Sequence, residues 1–202
     1  MSARARHRST SGTRNASAGP FLTLVLLVAV GTAAYRAGRD GRQPQPATAP
    51  LPIGTWTVRF SPMGGATELV VDAIQRAQRS IHVQAYSFTS APIARALVDA
   101  SRRGVHVEVI LDKSQRTERY SEADFLAHAG IPVAIDAAHA IAHNKVMIID
   151  DDTVVTGSFN FTKAAEERNA ENVLVIRDPA MAGRYRANWI EHRRHSEPYA
   201  GG

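Results

Sequence analysis

Six residues with distinctive chemistry stand at fixed spacing in one short stretch of this sequence. An imidazole is followed two residues later by an ammonium group, and a carboxylate, a glycine, a hydroxyl and an amide complete the set: His143, Lys145, Asp150, Gly157, Ser158 and Asn160. An imidazole can act as a nucleophile or a base, a lysine supplies fixed positive charge, and the hydroxyl and amide supply neutral donors. Aimed at one point, these groups suit an oxyanion substrate such as a phosphodiester.

The residues between these groups predict the elements that position them. Residues 146–149 are all apolar and predict a buried strand, and residues 153–156 predict its hairpin partner across an acidic turn. Because side chains alternate along a strand, we expect His143 and Lys145 to face one way and Asp150 the other. Consecutive carboxylates at a strand end point in different directions, so the acidic turn predicts no metal site.

The spacing resembles the signature of the phospholipase D superfamily. The pattern here is His, one residue, Lys, four residues, Asp, six residues, Gly-Ser, one residue and Asn. Its continuation through residues 161–172 looks like the small bacterial Nuc-type endonucleases of that superfamily. Ala85-Tyr86-Ser87-Phe88-Thr89 is a second matching block, and the similarity extends over about residues 56–195.

The resemblance implies a role for five residues. His143 would be the nucleophile that attacks phosphorus and forms a phosphohistidine, and Lys145 would bind the phosphate oxygens. Asn160 and Ser158 would add neutral donors to the same oxygens. Glu171 matches the position of an acidic residue that hydrogen-bonds the nucleophilic histidine and fixes its tautomer.

The other two motif residues, Asp150 and Gly157, are expected to be structural. The mechanism that the resemblance implies uses no metal or other cofactor, but it needs a second histidine to protonate the leaving group. Because one chain carries one motif, we expect a two-fold homodimer that places two copies of His143 at one phosphate. His139, four residues upstream, is the alternative donor within one chain, although an exposed loop histidine is its simpler interpretation.

The basic character of the sequence is concentrated at its N-terminal end. The 202 residues carry a net charge of +5, yet residues 1–42 hold seven Arg and one Asp and account for +6. The remaining residues sum to −1, so any nucleic-acid-binding surface of the folded domain must be a local patch. Cysteine is absent, which excludes disulfide bonds, cysteine-based zinc sites and a thiol nucleophile.

Composition divides the chain into four segments. Residues 1–19 are basic and polar and predict disorder, and residues 20–35 form an apolar run that predicts a signal peptide or a membrane anchor. Residues 36–52 contain four prolines, which is typical of a linker. Residues 53–202 are left as the catalytic domain, expected outside the cytoplasm as a periplasmic, secreted or membrane-anchored unit.

Helical and strand patterns alternate early in this domain, and the hairpin comes late. This order predicts an α/β fold with a mixed β-sheet flanked by helices, and the resemblance implies the α-β-α sandwich of the superfamily. The patterns predict further strands at residues 56–60, 81–88, 105–112, 131–135 and 173–176, and helices at 65–78, 90–104 and 121–129. A final helix begins after residues 178–179 and ends near His192 and His195, where a positive charge complements the helix dipole.

The leading functional prediction is a metal-independent, exported endonuclease that hydrolyses DNA, with RNA as a further candidate substrate. The alternative is a membrane-anchored phospholipase D that acts on phosphatidyl lipids, with residues 20–35 supplying the membrane association. The same chemistry serves both, so residues 143–160 do not decide between them. A basic groove containing Lys113, Arg116 and Arg119 would favour the nuclease. A degenerate binding protein is disfavoured because every motif position is intact.

Overall fold

The computed structural model describes residues 54–202, which form eight strands, five α-helices and one 3-10 turn. The strands are β1 (Thr55–Ser61), β2 (Ser80–Ala85), β3 (His106–Asp112), β4 (Val133–Asp136), β5 (Lys145–Ile149), β6 (Thr153–Gly157), β7 (Glu171–Arg177) and β8 (Glu197–Tyr199). The α-helices are α1 (Ala66–Arg76), α2 (Ala91–Arg102), α3 (Ala123–His128), α4 (Lys163–Glu167) and α5 (Pro179–His195), and the 3-10 turn is Lys113–Arg116.

All eight strands join one mixed sheet in the order β1-β7-β6-β5-β2-β3-β4-β8. Strands β2, β3 and β4 run parallel, and the remaining neighbours are antiparallel. The β5–β6 hairpin lies near the middle of the sheet, with β5 against β2 and β6 against β7. The predicted fold class, a mixed sheet flanked by helices, is confirmed.

Helices cover both faces of the sheet because its central strands carry apolar side chains on both sides. On one face, Val70 and Ile74 of α1 and Leu97 of α2 are fully buried in the larger core, which also contains Met147 of β5. On the other face, Trp189 of α5 packs into a smaller apolar cluster that includes Ile110, Val146, Ile148, Val154 and Ala182. The Trp189 indole donates a hydrogen bond of 2.9 Å to the Val83 carbonyl, so its single polar group is satisfied.

Three elements were not predicted: the 3-10 turn, α4 and β8. Each is five residues or fewer, too short to show a helical or strand period. In the hairpin turn, Asp150 and Asp151 adopt positive φ angles of 54° and 62°, so the turn begins one residue earlier than predicted. The predictions for residues 1–52 lie outside the described residues. Within residues 54–202, no helix has the length and apolar character needed to cross a bilayer.

The burial of His82 is expected to make the stability of the fold depend on pH. Desolvation, together with the neighbouring Arg186 guanidinium and His106, lowers the pKa of His82 from its ordinary 6.5 to about 4. Between pH 6.5 and about pH 4, His82 therefore binds a proton in the unfolded chain but not in the folded chain. The free energy of unfolding falls as the pH is lowered through this range. We expect the free energy of unfolding to drop by about 2–3 kcal/mol from this residue between pH 7.5 and 4.5.

Urea unfolding of the parent chain and of His82→Phe at both pH values measures this loss. The phenylalanine fills the aromatic position without titrating, so the variant should lose less stability on acidification than the parent. Parallel losses in the two proteins would contradict the assignment to His82.

Candidate active site

The sheet topology gathers the candidate residues at one edge. Strands β2, β3 and β4 end there, β5 and β7 begin there, and Lys145 at the start of β5 pairs with Ala85 at the end of β2. At the end of β6, Gly157 pairs with Val173 near the start of β7. The loops that leave these strand ends carry His143, Ser158 and Asn160. Six sequence-distant segments therefore meet at this edge, as expected for a site built at strand ends.

His143 and Lys145 form the centre of the site together with Tyr86. The His143 side chain is exposed, whereas Lys145 is only 7% exposed, and its ammonium donates a hydrogen bond of 2.9 Å to the His143 carbonyl. The Tyr86 and His143 rings lie with centroids 4.6 Å apart, and the Lys145 nitrogen lies 5.1 Å from the Tyr86 centroid. The backbone amide of Tyr86 also donates to the Asn144 carbonyl at 2.8 Å. An accessible imidazole thus stands beside a buried, oriented cation.

The charge of Lys145 is opposed by its burial and supported by Glu171. Desolvation lowers the pKa of Lys145, and the negative charge of Glu171 acts in the raising direction without cancelling it. The Glu171 carboxylate accepts a hydrogen bond of 3.2 Å from the Asn169 amide. Among residues 54–202 no hydrogen bond joins Glu171 to the His143 ring, so the placement seen here links Glu171 to the lysine rather than to the histidine.

A tight backbone crossing fixes the segment after β6. A side chain at Gly157 would place its Cβ 2.2 Å from the Asn172 carbonyl oxygen, and its φ of 150° is one that other residues rarely adopt. The Ser158 hydroxyl accepts hydrogen bonds from the backbone and side-chain nitrogens of Asn172 at 3.1 and 3.4 Å. Ser158 is thereby tied to β7, and only its remaining hydroxyl hydrogen is free to reach a ligand.

Asn160 is held between two buried aromatic residues. Phe159 and Phe161 are each 1% exposed, and the Phe161 carbonyl accepts from the backbone amides of Thr89 and Ser90. The Asn160 side-chain oxygen is buried and has no hydrogen-bond partner within the described chain. The unpaired atom is an acceptor, so it suits a donor group of a ligand, whereas a phosphate oxygen would have to accept from the Asn160 Nδ2 group instead.

Asp150 lies at the opposite edge of the sheet from Lys145. Its carboxylate accepts three backbone hydrogen bonds from the segment that enters β2, at 2.8 Å from Gln78, 2.7 Å from Arg79 and 3.0 Å from Ser80. Burial acts to raise the pKa of Asp150, but these amides and the Arg79 charge outweigh it and lower the pKa. The length of β5, rather than the alternation of side chains that we expected, separates Asp150 from the site.

Comparison with known proteins defines the family. A family model described as "Cardiolipin synthase, PLD-like domain" matches residues 70–193. A protein named phospholipase D from Rickettsia bellii is 46% identical over 134 residues, which are 66% of this chain and 67% of that protein. The chain belongs to the phospholipase D superfamily. The mitochondrial cardiolipin hydrolase of Xenopus laevis is more distant, at 36% identity over 54% of this chain and 52% of its own length.

Two solved structures share the phospholipase D fold seen here. Nuc from Salmonella typhimurium, described as a phospholipase D family member, superposes with a TM-score of 0.70 and 43% identity over 73% of this chain and 99% of its own. NucT from Helicobacter pylori superposes with a TM-score of 0.64 over 72% of this chain and 100% of its own. At 24% identity, NucT supports the fold alone.

Two residues of this candidate site were missed by sequence reasoning. Tyr86 lies within the second matching block, so its position was noted, but no role was assigned to its ring. Asp112, at the end of β3, accepts hydrogen bonds from the backbone amides of Ser114 at 2.9 Å and Ala142 at 2.7 Å. Burial acts to raise the pKa of Asp112, but these amides lower it overall. A carboxylate that ends a buried strand is the signal that identifies such a loop anchor.

The basic residues of the predicted groove are partly engaged within the fold. The Lys113 ammonium donates to the His139 carbonyl at 2.9 Å, and Arg116 pairs with Glu197 at 2.5 Å. The Arg119 guanidinium lies 5.5 Å from the centroid of the neighbouring Tyr120 ring. Arg119 is therefore the one of the three for which the structure records no ion pair or hydrogen bond within residues 54–202.

Proposed function

We propose that this chain is a metal-independent phosphodiesterase that cleaves DNA, and RNA as a second substrate, as an endonuclease. The observation that carries the proposal is the similarity to Nuc, which covers 99% of that chain at 43% identity. The resemblance of residues 157–172 to Nuc-type endonucleases points the same way. The placement of His143, Lys145 and Asn160 at one edge of the sheet supplies the groups that phosphodiester hydrolysis needs.

The proposed reaction has two displacement steps. In the first, a ring nitrogen of His143 attacks phosphorus, the bond to the leaving oxygen breaks, and a phosphohistidine forms while a second histidine protonates that oxygen. In the second, the now neutral second histidine takes a proton from water, whose oxygen attacks phosphorus and releases His143. The second histidine thus acts as an acid in the first step and as a base in the second, and both histidines return to their starting protonation states.

Lys145, through its ammonium, and Asn160, through its Nδ2 group, are proposed to donate hydrogen bonds to the non-bridging phosphate oxygens. One hydrogen of the Lys145 ammonium is committed to the His143 carbonyl, which leaves two hydrogens for the substrate. Because the ammonium is buried, its attraction for a developing negative charge is less screened than that of a surface lysine. Glu171 is proposed to sustain the positive charge of Lys145. Ser158 is proposed as a further donor through its remaining hydroxyl hydrogen.

The second histidine is proposed to be His143 of the partner subunit in a two-fold homodimer. The exposure of His143 at the surface suits this arrangement, because a buried residue could not meet its symmetry mate. His139, the alternative donor, has its ring against His192 and His195, with centroids 4.9 and 5.3 Å away. Because the His139 ring already packs against these two rings, the partner's His143 is favoured as the second histidine.

The alternative function is a phospholipase D that acts on phosphatidyl lipids. The names of the Rickettsia relatives and of the matching family model favour it. In this alternative the apolar residues 20–35 anchor the chain to the membrane that contains its substrate. In both alternatives we propose that the domain acts outside the cytoplasm, since a basic segment precedes that apolar run.

Parallel assays with the two candidate substrates test the proposal. The purified chain is incubated in excess EDTA with supercoiled plasmid and, separately, with phosphatidylcholine vesicles, and nicked DNA and free choline are measured. We expect plasmid nicking at a rate at least about 100-fold above choline release, because the similarity to Nuc favours a nucleic-acid backbone as the source of the phosphate. Choline release without nicking would replace the endonuclease by the phospholipase.

A further inference from the structure

The structure assigns a second site, separate from His143: we propose that Asp136, His139, His192 and His195 bind one Zn²⁺ ion that stabilises the fold. We call these four residues the three-histidine cluster. They come from the end of β4, the loop 137–144 and the last turn of α5. None of them takes part in the proposed reaction, so the two proposals stand or fall independently.

The ligand atoms of the three-histidine cluster lie close to the spacing of a metal site. Asp136 Oδ2 is 2.7 Å from His192 Nδ1 and 3.8 Å from His139 Nε2, and Asp136 Oδ1 is 3.3 Å from His195 Nε2. One ligand atom from each residue lies within 4.8 Å of all the others. Donors bound tetrahedrally to Zn²⁺ at about 2.0–2.2 Å are about 3.4 Å apart. The four side chains would therefore move by about an ångström to bind the ion.

The surroundings of the cluster hold its central carboxylate and leave access for an ion. The Asp136 side chain is fully buried, and it also accepts a hydrogen bond of 3.1 Å from the Ala138 amide, which fixes its orientation. His192 and His195 are three residues apart on α5 and therefore share one helix face. The His139 side chain is 46% exposed, so the ion can enter from solvent through the loop side.

The donor set selects a borderline transition metal rather than Mg²⁺ or Ca²⁺. Imidazole nitrogens are ligands for Zn²⁺ and its neighbours, whereas Mg²⁺ and Ca²⁺ require oxygen ligands almost throughout. Three neutral imidazoles and one carboxylate give the occupied site a net charge of +1, which is easily hydrated at a partly exposed position.

A second histidine cluster shows why proximity alone is not enough. His82, His106 and Glu108 also lie within metal-binding distance of one another. However, the Arg186 guanidinium is 3.1–3.3 Å from both ring nitrogens of His82, and Arg193 binds Glu108 at 2.5 Å. Fixed cations occupy the positions where a metal would have to bind. At the three-histidine cluster the Lys113 ammonium reaches only the His139 backbone carbonyl, at 2.9 Å, and within residues 54–202 no Lys or Arg forms a salt bridge with the Asp136 carboxylate.

The proposed ion would connect the loop 137–144 to α5. This loop passes from β4 to β5 across the ends of β3 and β2, where Asp112 and Tyr86 bind its backbone, and His143 is its next-to-last residue. The metal lies three strands from β5, about 14 Å at the usual strand spacing, which is too far for it to touch the same phosphate. It is therefore a structural ion, which would hold the β4 side of the loop carrying His143 against α5.

Metal titration of the untagged full chain tests the site. After chelator treatment and removal of the chelator, Zn²⁺ binding is measured by calorimetry, and Co²⁺ binding by the visible absorption of the tetrahedral ion. We expect one ion per chain and a rise in Tm on binding. His139→Ala and His195→Ala should each weaken Zn²⁺ affinity by about 100-fold or more and remove the Co²⁺ absorption.

His106→Ala is the matched control, since it removes a histidine from the second cluster and should leave Zn²⁺ binding unchanged. Absence of stoichiometric binding by the parent would overturn the proposal. So would binding that survives both the His139 and His195 substitutions, or binding that the His106 substitution abolishes. The expected effect of EDTA is a lower Tm with nicking retained below that temperature, which separates this site from the proposed function.

Discussion

Replacing His143 by alanine is expected to reduce the rate of plasmid nicking in EDTA by about 10⁴-fold or more. The reduction in rate is this large because the substitution removes the nucleophile and the acid together, since His143 supplies both in a symmetric dimer. His106→Ala is the control, because His106 is also exposed but lies at the opposite edge of the sheet, at the start of β3, paired with Ser80. Nicking by His143→Ala at the parent rate would remove His143 from the mechanism.

Mixed dimers extend this prediction to the subunit arrangement. If equal amounts of parent and His143→Ala chains exchange subunits freely, half of the dimers are hybrids, and each hybrid has one functional imidazole. Because the proposed reaction uses both, activity should fall to about one quarter of the parent value. A fall to one half would instead mean that each chain works alone, and the donor would then have to be sought within the chain.

Replacing Asp150 by alanine is expected to lower the free energy of unfolding by about 4 kcal/mol, although Asp150 belongs to the catalytic sequence motif. The loss combines three backbone hydrogen bonds to a charged acceptor with the strain of alanine at a φ of 54°. Urea unfolding at neutral pH measures the change. The folded fraction of the variant should keep most of the nicking rate of the parent.

Asp151→Ala provides the matched control for this loss. Asp151 has a similar φ of 62° in the same turn, but its carboxylate makes only an exposed contact of 3.7 Å with Arg186. Its replacement therefore carries the backbone strain without the hydrogen bonds and should cost about 1 kcal/mol. Equal losses in the two variants would show that the Asp150 carboxylate contributes little to stability.

The sequence predicted local features well because they depend on short-range patterns. The β5–β6 hairpin, the strand leading to Asp112 and the helix containing Trp189 could all be predicted from apolar periodicity and turn residues. A shared site for His143, Lys145 and Asn160 was predicted from the motif, and the strand ends next to these residues lie at one edge of the sheet. The position of Asp150 at the far edge was not predicted, because the alternation of side chains along a strand does not indicate which edge of the sheet a residue lies at.

The features that were missed depend on contacts between distant segments. His139 and His192 come together only because α5 lies across the sheet and ends beside β4, and no local pattern records that path. Interpreted one at a time, His139 was an exposed loop residue and His192 and His195 were helix-terminal charges. Similarly, β8 pairs with β4 through three residues, too few for any periodicity to indicate a strand.

The pairing of β1 with β7 has a consequence for the order of folding. Of the described strands, β1 is synthesised first, yet its single neighbour in the sheet is β7, with Thr55 opposite Arg177. The parallel β2-β3-β4 unit can assemble from nearby segments, whereas β1 must wait until nearly the whole domain has left the ribosome. During that interval Trp56 and Phe60 sit on an unpaired strand, and they remain 65% and 64% exposed afterwards. The nascent chain is therefore expected to depend on chaperones that shield β1 until β7 arrives.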